Sequence, residues 1–425
     1  MKFTNSVSAL LGFLALASGA SVQTRDLDYV SYDGYKVFRL SFGDNVAKVS
    51  SIIERLGLTT WKGAPVAGRP SDIVVPPTQV ANFLAEVRGM TYITMHEDLG
   101  KSIEDEAPIS AYQAGRAPDI SWFNSYHSYA EHLQWLNDLQ AAYPTRSQVV
   151  STGTSLNGRN ITGIHFWGSS GKGKPAVVFH GTVHAREWIS TMVVEYFAFH
   201  MLSNSGNAEM ANFLNKYDFI FFPIANPDGF VFTQTNNRLW RKNRQTTSGS
   251  TCIGHDINRN WAYKWDVSGG ASTNPCAEDY KGRAALDAPE TAALAAFLRN
   301  TKASQGVKLY MDWHAYSQMF MTPYGYSCTD VPAKNTELLS LASGAAAAIR
   351  AVFGTTFTTG SICKTIYKAT GSSVDYVNEV VKADYVFTAE LRDKGANGFV
   401  LPANQIIPSG QEAYAGVRYL LLNMK

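Results

Sequence analysis

Ala176-Val177-Val178-Phe179-His180-Gly181-Thr182-Val183-His184-Ala185-Arg186-Glu187-Trp188 is the stretch on which the fold turns. Residues 176–179 form a nearly continuous apolar run, the kind buried on both faces of a parallel sheet. Gly181 marks a turn, and residues 189–202 then carry a helical pattern. The same alternation continues outward. Residues 129–142 read as an amphipathic helix, and 149–151 and 161–166 as strands. Residues 217–222 read as a second buried strand ending at Pro223. Beyond it come a strand at 307–311, an Ala-rich helix at 338–352 and a strand at 385–391. The expected class is α/β: a mixed, mostly parallel twisted sheet with helices on both faces.

The N-terminal part has a different pattern. Residues 35–40 alternate like a strand, and Val46, Val49, Ile52, Ile53 and Leu56 recur at helical spacing. Residues 72–75 are a short apolar run. Pro77 suits the start of a helix that carries Val80, Phe83, Leu84 and Val87. With an extended piece at 59–61 and a strand at 91–95, this predicts β-α-β-β-α-β, a small ferredoxin-like open sandwich. Glu97, Asp98, Glu104, Asp105 and Glu106, then Pro108, Gly115, Arg116 and Pro118, predict a solvated linker over 97–118.

Lys2, the apolar run 7–17 and Ser18-Gly19-Ala20 have the layout of a secretory signal peptide. The run is too short to span a bilayer, and no later stretch reads as long and apolar enough. The expected division is a signal peptide at 1–20, an N-terminal domain at 21–112 and a main domain at 113–425. In an exported chain the four cysteines should pair, with three connectivities open. The chain has 37 Lys and Arg against 35 Asp and Glu, so its formal charge is only +2. That balance removes the electrostatic case for nucleic acid or an anionic membrane as partner.

Several motifs fail. Gly168-Ser169-Ser170-Gly171-Lys172-Gly173-Lys174 is followed by Pro175 where a P-loop needs Ser or Thr, and it precedes a strand. His96-Glu97 lacks the second histidine of HExxH, because position 100 is Gly. No GxSxG elbow occurs.

His184 and Glu187 are three apart, so on one helical turn they would face the same way. A histidine and a carboxylate so placed can supply two ligands to one Zn²⁺, and a catalytic zinc wants a third. His314 ends the run Leu309-Tyr310-Met311-Asp312-Trp313-His314, and strand ends are where open α/β sheets bind ligands.

At this point the chain resembles the zinc metallocarboxypeptidases of the carboxypeptidase A type, prosegment included. The matching segments are His184-Ala185-Arg186-Glu187-Trp188, Asn226-Pro227-Asp228-Gly229, Leu239-Trp240-Arg241-Lys242-Asn243-Arg244, Asp256-Ile257-Asn258-Arg259-Asn260-Trp261, His314-Ala315-Tyr316-Ser317-Gln318, Tyr367-Lys368-Ala369-Thr370-Gly371 and Thr388-Ala389-Glu390-Leu391-Arg392-Asp393. The resemblance implies that His184, Glu187 and His314 hold one Zn²⁺; carboxypeptidase A is itself the standard example of that His₂Glu set. It implies that Glu390 is the general base, although Glu390 alone would read as a strand-end ion pair with Arg392. Arg241 corresponds to the arginine that steadies the oxyanion, and Asp256 to the carboxylate that orients the first zinc histidine. Asn258, Arg259 and Tyr367 correspond to the residues that grip the substrate's terminal carboxylate. Arg186 and Tyr316 correspond to positions along the substrate groove or beside the metal.

Val374 stands where basic-preferring members carry an acid, and Ile362, Gly325, Ala369 and Thr388 match other lining positions. An apolar pocket cannot pair a lysine or arginine, so aliphatic or aromatic C-terminal residues are expected, with Gly325 leaving room for a ring. The resemblance pairs Cys252 with Cys276 and Cys328 with Cys363. Asn160-Ile161-Thr162 is a glycosylation acceptor pattern. Ala315 and Ala389 depart from the family's commoner residues beside the chemistry. The implied protein is a secreted, monomeric zymogen acting on peptide or protein C-termini. Its own prodomain would be the intramolecular inhibitor, removed by an endoprotease that cuts within 107–120. A dead relative kept for binding would have lost a ligand, the base or Arg241, and none is lost.

Overall fold

A computed structural model describes residues 29–106 and 112–425, so the expected signal peptide lies outside the described residues. The N-terminal unit comprises β1 (Lys36–Ser41), α1 (Val46–Arg55), β2 (Thr59–Thr60), β3 (Ser71–Val75), α2 (Val80–Glu86) and β4 (Thr91–His96). Its antiparallel sheet has the order β2-β3-β1-β4. The two-residue period of β1 divides its side chains between two cores. Phe38 and Leu40 pack with Val49, Ile52 and Phe83 inside the unit. Val37 faces the other way and joins Trp61, Val74 and Leu99 in the core of the main unit.

The linker expectation fails over Leu99–Glu106, which forms helix α3. Leu99 is buried, and Gly100 lies so close to Asp33 that a Cβ would come within 2.5 Å of its carboxylate. The acid that made this stretch look solvated, Glu106, is buried and paired with Arg238, whose Nε donates to it at 2.6 Å. A buried partner supplied by a distant segment is invisible to a local charge pattern.

The main unit contains α4 (Tyr129–Ala142), β5 (Ser147–Thr154), β6 (Asn160–Phe166), β7 (Ala176–Gly181), α5 (Trp188–Ser203), α6 (Ala208–Lys216), β8 (Asp218–Phe222), α7 (Pro227–Thr235), α8 (Pro289–Ser304) and β9 (Val307–His314). It continues with β10 (Met319–Thr322), α9 (Asn335–Phe353), β11 (Thr358–Ser361), α10 (Ile362–Thr365), α11 (Ser373–Tyr376), β12 (Tyr385–Glu390) and α12 (Ile406–Asn423). The eight-stranded sheet has the order β11-β10-β12-β9-β7-β8-β6-β5. Pairings β10/β11, β12/β9, β7/β9 and β7/β8 are parallel, and the other three are antiparallel.

The apolar run of β7 now has its explanation. Val177 and Phe179 enter the core under α5 and α12, while Ala176 and Val178 enter a second core under α8 and α11. Helix α9 corrects the reading that no later stretch could span a bilayer. It has 19 residues and a mean hydropathy of 1.3. That apolarity serves the core instead: Leu338, Leu341, Ala345 and Ile349 are buried there. Both disulfides form as the resemblance implied, Cys252–Cys276 and Cys328–Cys363.

Parallel register fixes the site. His180 and Gly181 of β7 lie opposite Asp312 and Trp313 of β9, and Glu390 of β12 lies opposite His314. The chain therefore leaves three central strands at one edge, carrying its histidines and Glu390 with it.

Candidate active site

His184 and Glu187 do meet, but not on a helix. The chain turns after β7, closed by the Glu187 N–H donating to the His184 carbonyl at 3.1 Å, and Glu187 sits just before the first residue of α5. His184 Nδ1 lies 2.8 Å from one Glu187 carboxylate oxygen, and His314 Nδ1 lies 3.0 Å from the other. The two Nδ1 atoms are 3.1 Å apart, and one ligand atom from each of the three residues falls within a 4.8 Å set. All three side chains are buried. Two imidazoles and a carboxylate that converge away from water are a donor set suited to Zn²⁺ with an open position.

Behind His184, Asp256 Oδ1 stands 3.2 Å from Nε2, while Oδ2 accepts from Arg241 Nη2 at 2.7 Å. Burial alone would raise the Asp256 carboxyl, but the charges of Arg241 and His184 outweigh it and hold the group well below the usual range. Asn258 puts Nδ2 3.1 Å from His314 Nε2 and accepts from the Ser373 N–H at 2.9 Å. Arg259 is buried with Nε unpartnered, and its guanidinium lies 5.7 Å from the centre of the Tyr367 ring. Arg186, Arg241, Arg259 and Tyr367 share the wall of one cavity of about 470 Å³.

Glu390 ends β12 beside His184, His314 and Asn258, around a smaller cavity of about 40 Å³. Removal from water, then the Glu187 charge, pushes its carboxyl up to about 8; a bound cation would draw it back down. The alternative ion pair is absent, because Arg392 gives both Nε and Nη2 to Glu412 at 2.6 Å. Val374, Ile362, Ala369 and Thr388 line this small cavity. The space beside Gly325 is already filled: a Cβ there would come 2.8 Å from the Ala369 carbonyl and 3.3 Å from Ile362.

Sequence reasoning missed the N-terminal unit's own hold on the cleft. Arg186 donates to the Trp61 carbonyl at 2.9 Å, and Lys62 donates to Ser317 Oγ at 2.9 Å. The Tyr316 hydroxyl donates to Asp72, whose carboxylate also takes Arg39 at 2.6 and 2.7 Å. A lone acid opening the apolar run 72–75 was the available signal. Asn160 is exposed at the start of β6.

Comparison with known proteins now has a geometry to attach to. Residues 132–416 match the zinc carboxypeptidase family and 41–106 the carboxypeptidase activation peptide. The chain is 49% identical over 411 residues to metallocarboxypeptidase A of Trichophyton rubrum, covering 96% of this chain and 97% of that protein. It is 35% identical over 415 residues to carboxypeptidase A1 of Bos taurus, covering 95% and 96%. Among solved structures, thrombin activatable fibrinolysis inhibitor superposes with a TM-score of 0.84 at 28% identity, covering 92% of this chain and 98% of that one. The chain belongs to the zinc carboxypeptidase family and carries that family's activation peptide in front of its catalytic domain.

Proposed function

We propose that this protein is a secreted zymogen whose processed form removes single C-terminal residues, preferring aliphatic or aromatic ones. The signal-like sequence of residues 1–20 and the paired cysteines support export. The observation that carries the reading is the meeting of His184, Glu187, His314 and Glu390 at one sheet edge, beside a cavity whose wall includes Arg186, Arg241 and Arg259.

His184, Glu187 and His314 would hold one Zn²⁺, which when bound would supply Lewis acidity to the scissile carbonyl and to water. Glu390, at the mouth of the same space, accepts a proton from the attacking water and returns it to the leaving amine. Arg241, fixed by Asp256, offers N–H groups where negative charge develops on the carbonyl oxygen. Arg259 has a buried donor with no protein acceptor, and with Asn258 and Tyr367 it grips the terminal carboxylate. That grip makes the enzyme an exopeptidase. The last side chain packs against Val374, Ile362, Ala369 and Thr388, uncharged residues that give a lysine or arginine no acid to pair with at that wall.

The N-terminal unit inhibits by taking groove residues out of service, Arg186 through the Trp61 carbonyl and Tyr316 through Asp72. An endoprotease releases it by cutting within 107–120, and exposed Arg116 suits a trypsin-like enzyme. The division we propose is a prodomain at 21–112 and a catalytic domain at 113–425. The active form is a monomer, and Asn160 is exposed enough to carry a glycan. The test is a panel of peptides that vary only in the final residue, run on chain processed near Arg116. Phe and Leu should be released well ahead of Lys and Arg, and an amidated peptide should resist. Release of Lys ahead of Leu would overturn the pocket assignment. Equal cleavage of amidated and free peptides would overturn the carboxylate grip.

A further inference from the structure

Alternate side chains of a strand share a face, so Tyr310, Asp312 and His314 of β9 point the same way. Register sets His180 of β7 opposite Asp312, and all four side chains are buried. His314 turns Nδ1 toward Glu187 and His184, so Nε2 faces away from the metal position. A neutral imidazole that gives Nδ1 to a metal carries its proton on Nε2. A buried N–H needs an acceptor.

Two side chains lie against that nitrogen. Asn258 approaches to 3.1 Å but presents Nδ2, because its oxygen accepts from the Ser373 N–H at 2.9 Å. An amide nitrogen only donates. Asp312 Oδ1 lies 3.0 Å from Nε2. This oxygen is buried and makes no properly angled hydrogen bond, whereas Oδ2 accepts from Ser373 Oγ at 2.5 Å. His180 Nε2 stands 3.4 Å from Oδ1 and is engaged by the Tyr310 hydroxyl. An acceptor without a donor therefore lies beside a ring nitrogen whose proton has no other acceptor.

We propose that Asp312 is a positioning residue of the metal site. It takes the Nε2–H of His314, selects the tautomer that leaves Nδ1 free for the ion, and places a negative charge behind that ligand. Asp256 stands in the same relation to His184. Ser373 anchors Asp312 and directly precedes Val374, so the support of the third ligand is tied to the wall of the specificity cavity.

The inference rests on His314 being a zinc ligand, and the experiment separates the two. Zinc affinity of the full chain is measured by competition with a chromophoric chelator for wild type, H314A, D312N and S373A. The melting temperature of each zinc-free chain and the visible spectrum of each Co²⁺-loaded chain are recorded alongside. H314A should lose at least about a hundredfold in affinity, and D312N roughly 10–100-fold with an altered Co²⁺ spectrum. A D312N chain that binds zinc within about twofold of wild type overturns the proposal even if its zinc-free form melts lower, since Asp312 would then serve packing. Should D312N not fold, S373A decides: it keeps the carboxylate but removes its anchor. A fall in affinity supports the proposal and an unchanged constant contradicts it. H314A binding zinc like wild type would overturn the ligand assignment, and Asp312's role with it.

Discussion

The N-terminal unit and the catalytic domain solve the problem of burial differently. The catalytic sheet is apolar on both faces and closes two cores, and the register of its central strands brings His314 and Glu390 together at one end. The N-terminal unit keeps a small core of its own and meets the rest through a few apolar residues and many charged contacts. Arg39 and Asp72 pair at Tyr316, Arg69 donates to the carbonyl of Thr365 at 2.7 Å, and Glu106 pairs with Arg238. A cover with its own core can be released whole. A cover held largely by directional polar contacts leaves behind a groove lined by the groups that substrate needs. In the proposed function, charge at the strand ends serves chemistry, whereas charge in the cover occupies a neighbouring groove residue, Tyr316 through Asp72.

The strongest way to sharpen that contrast is E390Q. The processed enzyme should lose about 10²–10⁴-fold in kcat/KM while the intact zymogen melts as wild type does. A steady-state assay beside a thermal melt checks both halves. The next test is E106A, which leaves Arg238 buried without its partner. Breaking such a pair costs about 3–5 kcal/mol, and the loss should fall on the cover. The intact zymogen should hydrolyse a small peptide faster, whereas the processed enzyme should be unaltered. Equal activity of the wild-type and E106A zymogens would mean that the pair does not hold the cover.

V374D addresses the apolar cavity. It should shift the Leu-to-Lys preference of the processed enzyme toward Lys by roughly tenfold or more, read from competing peptides. The smallest effect concerns Asp375, next in sequence. Burial pushes its carboxyl up to about 7, opposed by the N–H groups of Gly325 and Tyr326, which it accepts at 3.0 and 2.9 Å. The folded chain keeps this proton over a range where the unfolded chain, near 3.8, has lost it. The unfolded state then binds fewer protons, so stability contributed here is greatest at low pH and falls as pH rises from about 4 to about 7. D375N should flatten that slope in denaturant titrations of the processed enzyme. A slope unchanged in D375N would place the titrating group elsewhere.

Much of the sheet was legible because β7 and β8 are buried on both faces and so carry the apolar runs Ala176–Phe179 and Phe219–Phe222. The N-terminal sandwich was legible because its strands and helices switch period cleanly at Gly and Pro. Helix α3 was not, since Glu106 is buried only by virtue of Arg238, far along the chain. The turn joining His184 to Glu187 was mistaken for helix because their spacing fits both, and only the backbone distinguishes them. Asp72 and Asp312 share a lesson. Each is a carboxylate set among apolar strand residues, and each takes a hydroxyl from a distant segment, Asp72 from Tyr316 and Asp312 from Ser373. A charge that breaks an apolar strand was the signal, and its meaning needed the third dimension.

The central claim is that one zinc ion, held by His184, Glu187 and His314, is required for peptide cleavage. Metal analysis of the processed enzyme, run with activity during chelator dialysis and stepwise zinc return, tests it most directly. The account predicts one zinc per chain, with activity lost and regained in proportion to occupancy. Full activity in chain stripped of zinc would contradict it.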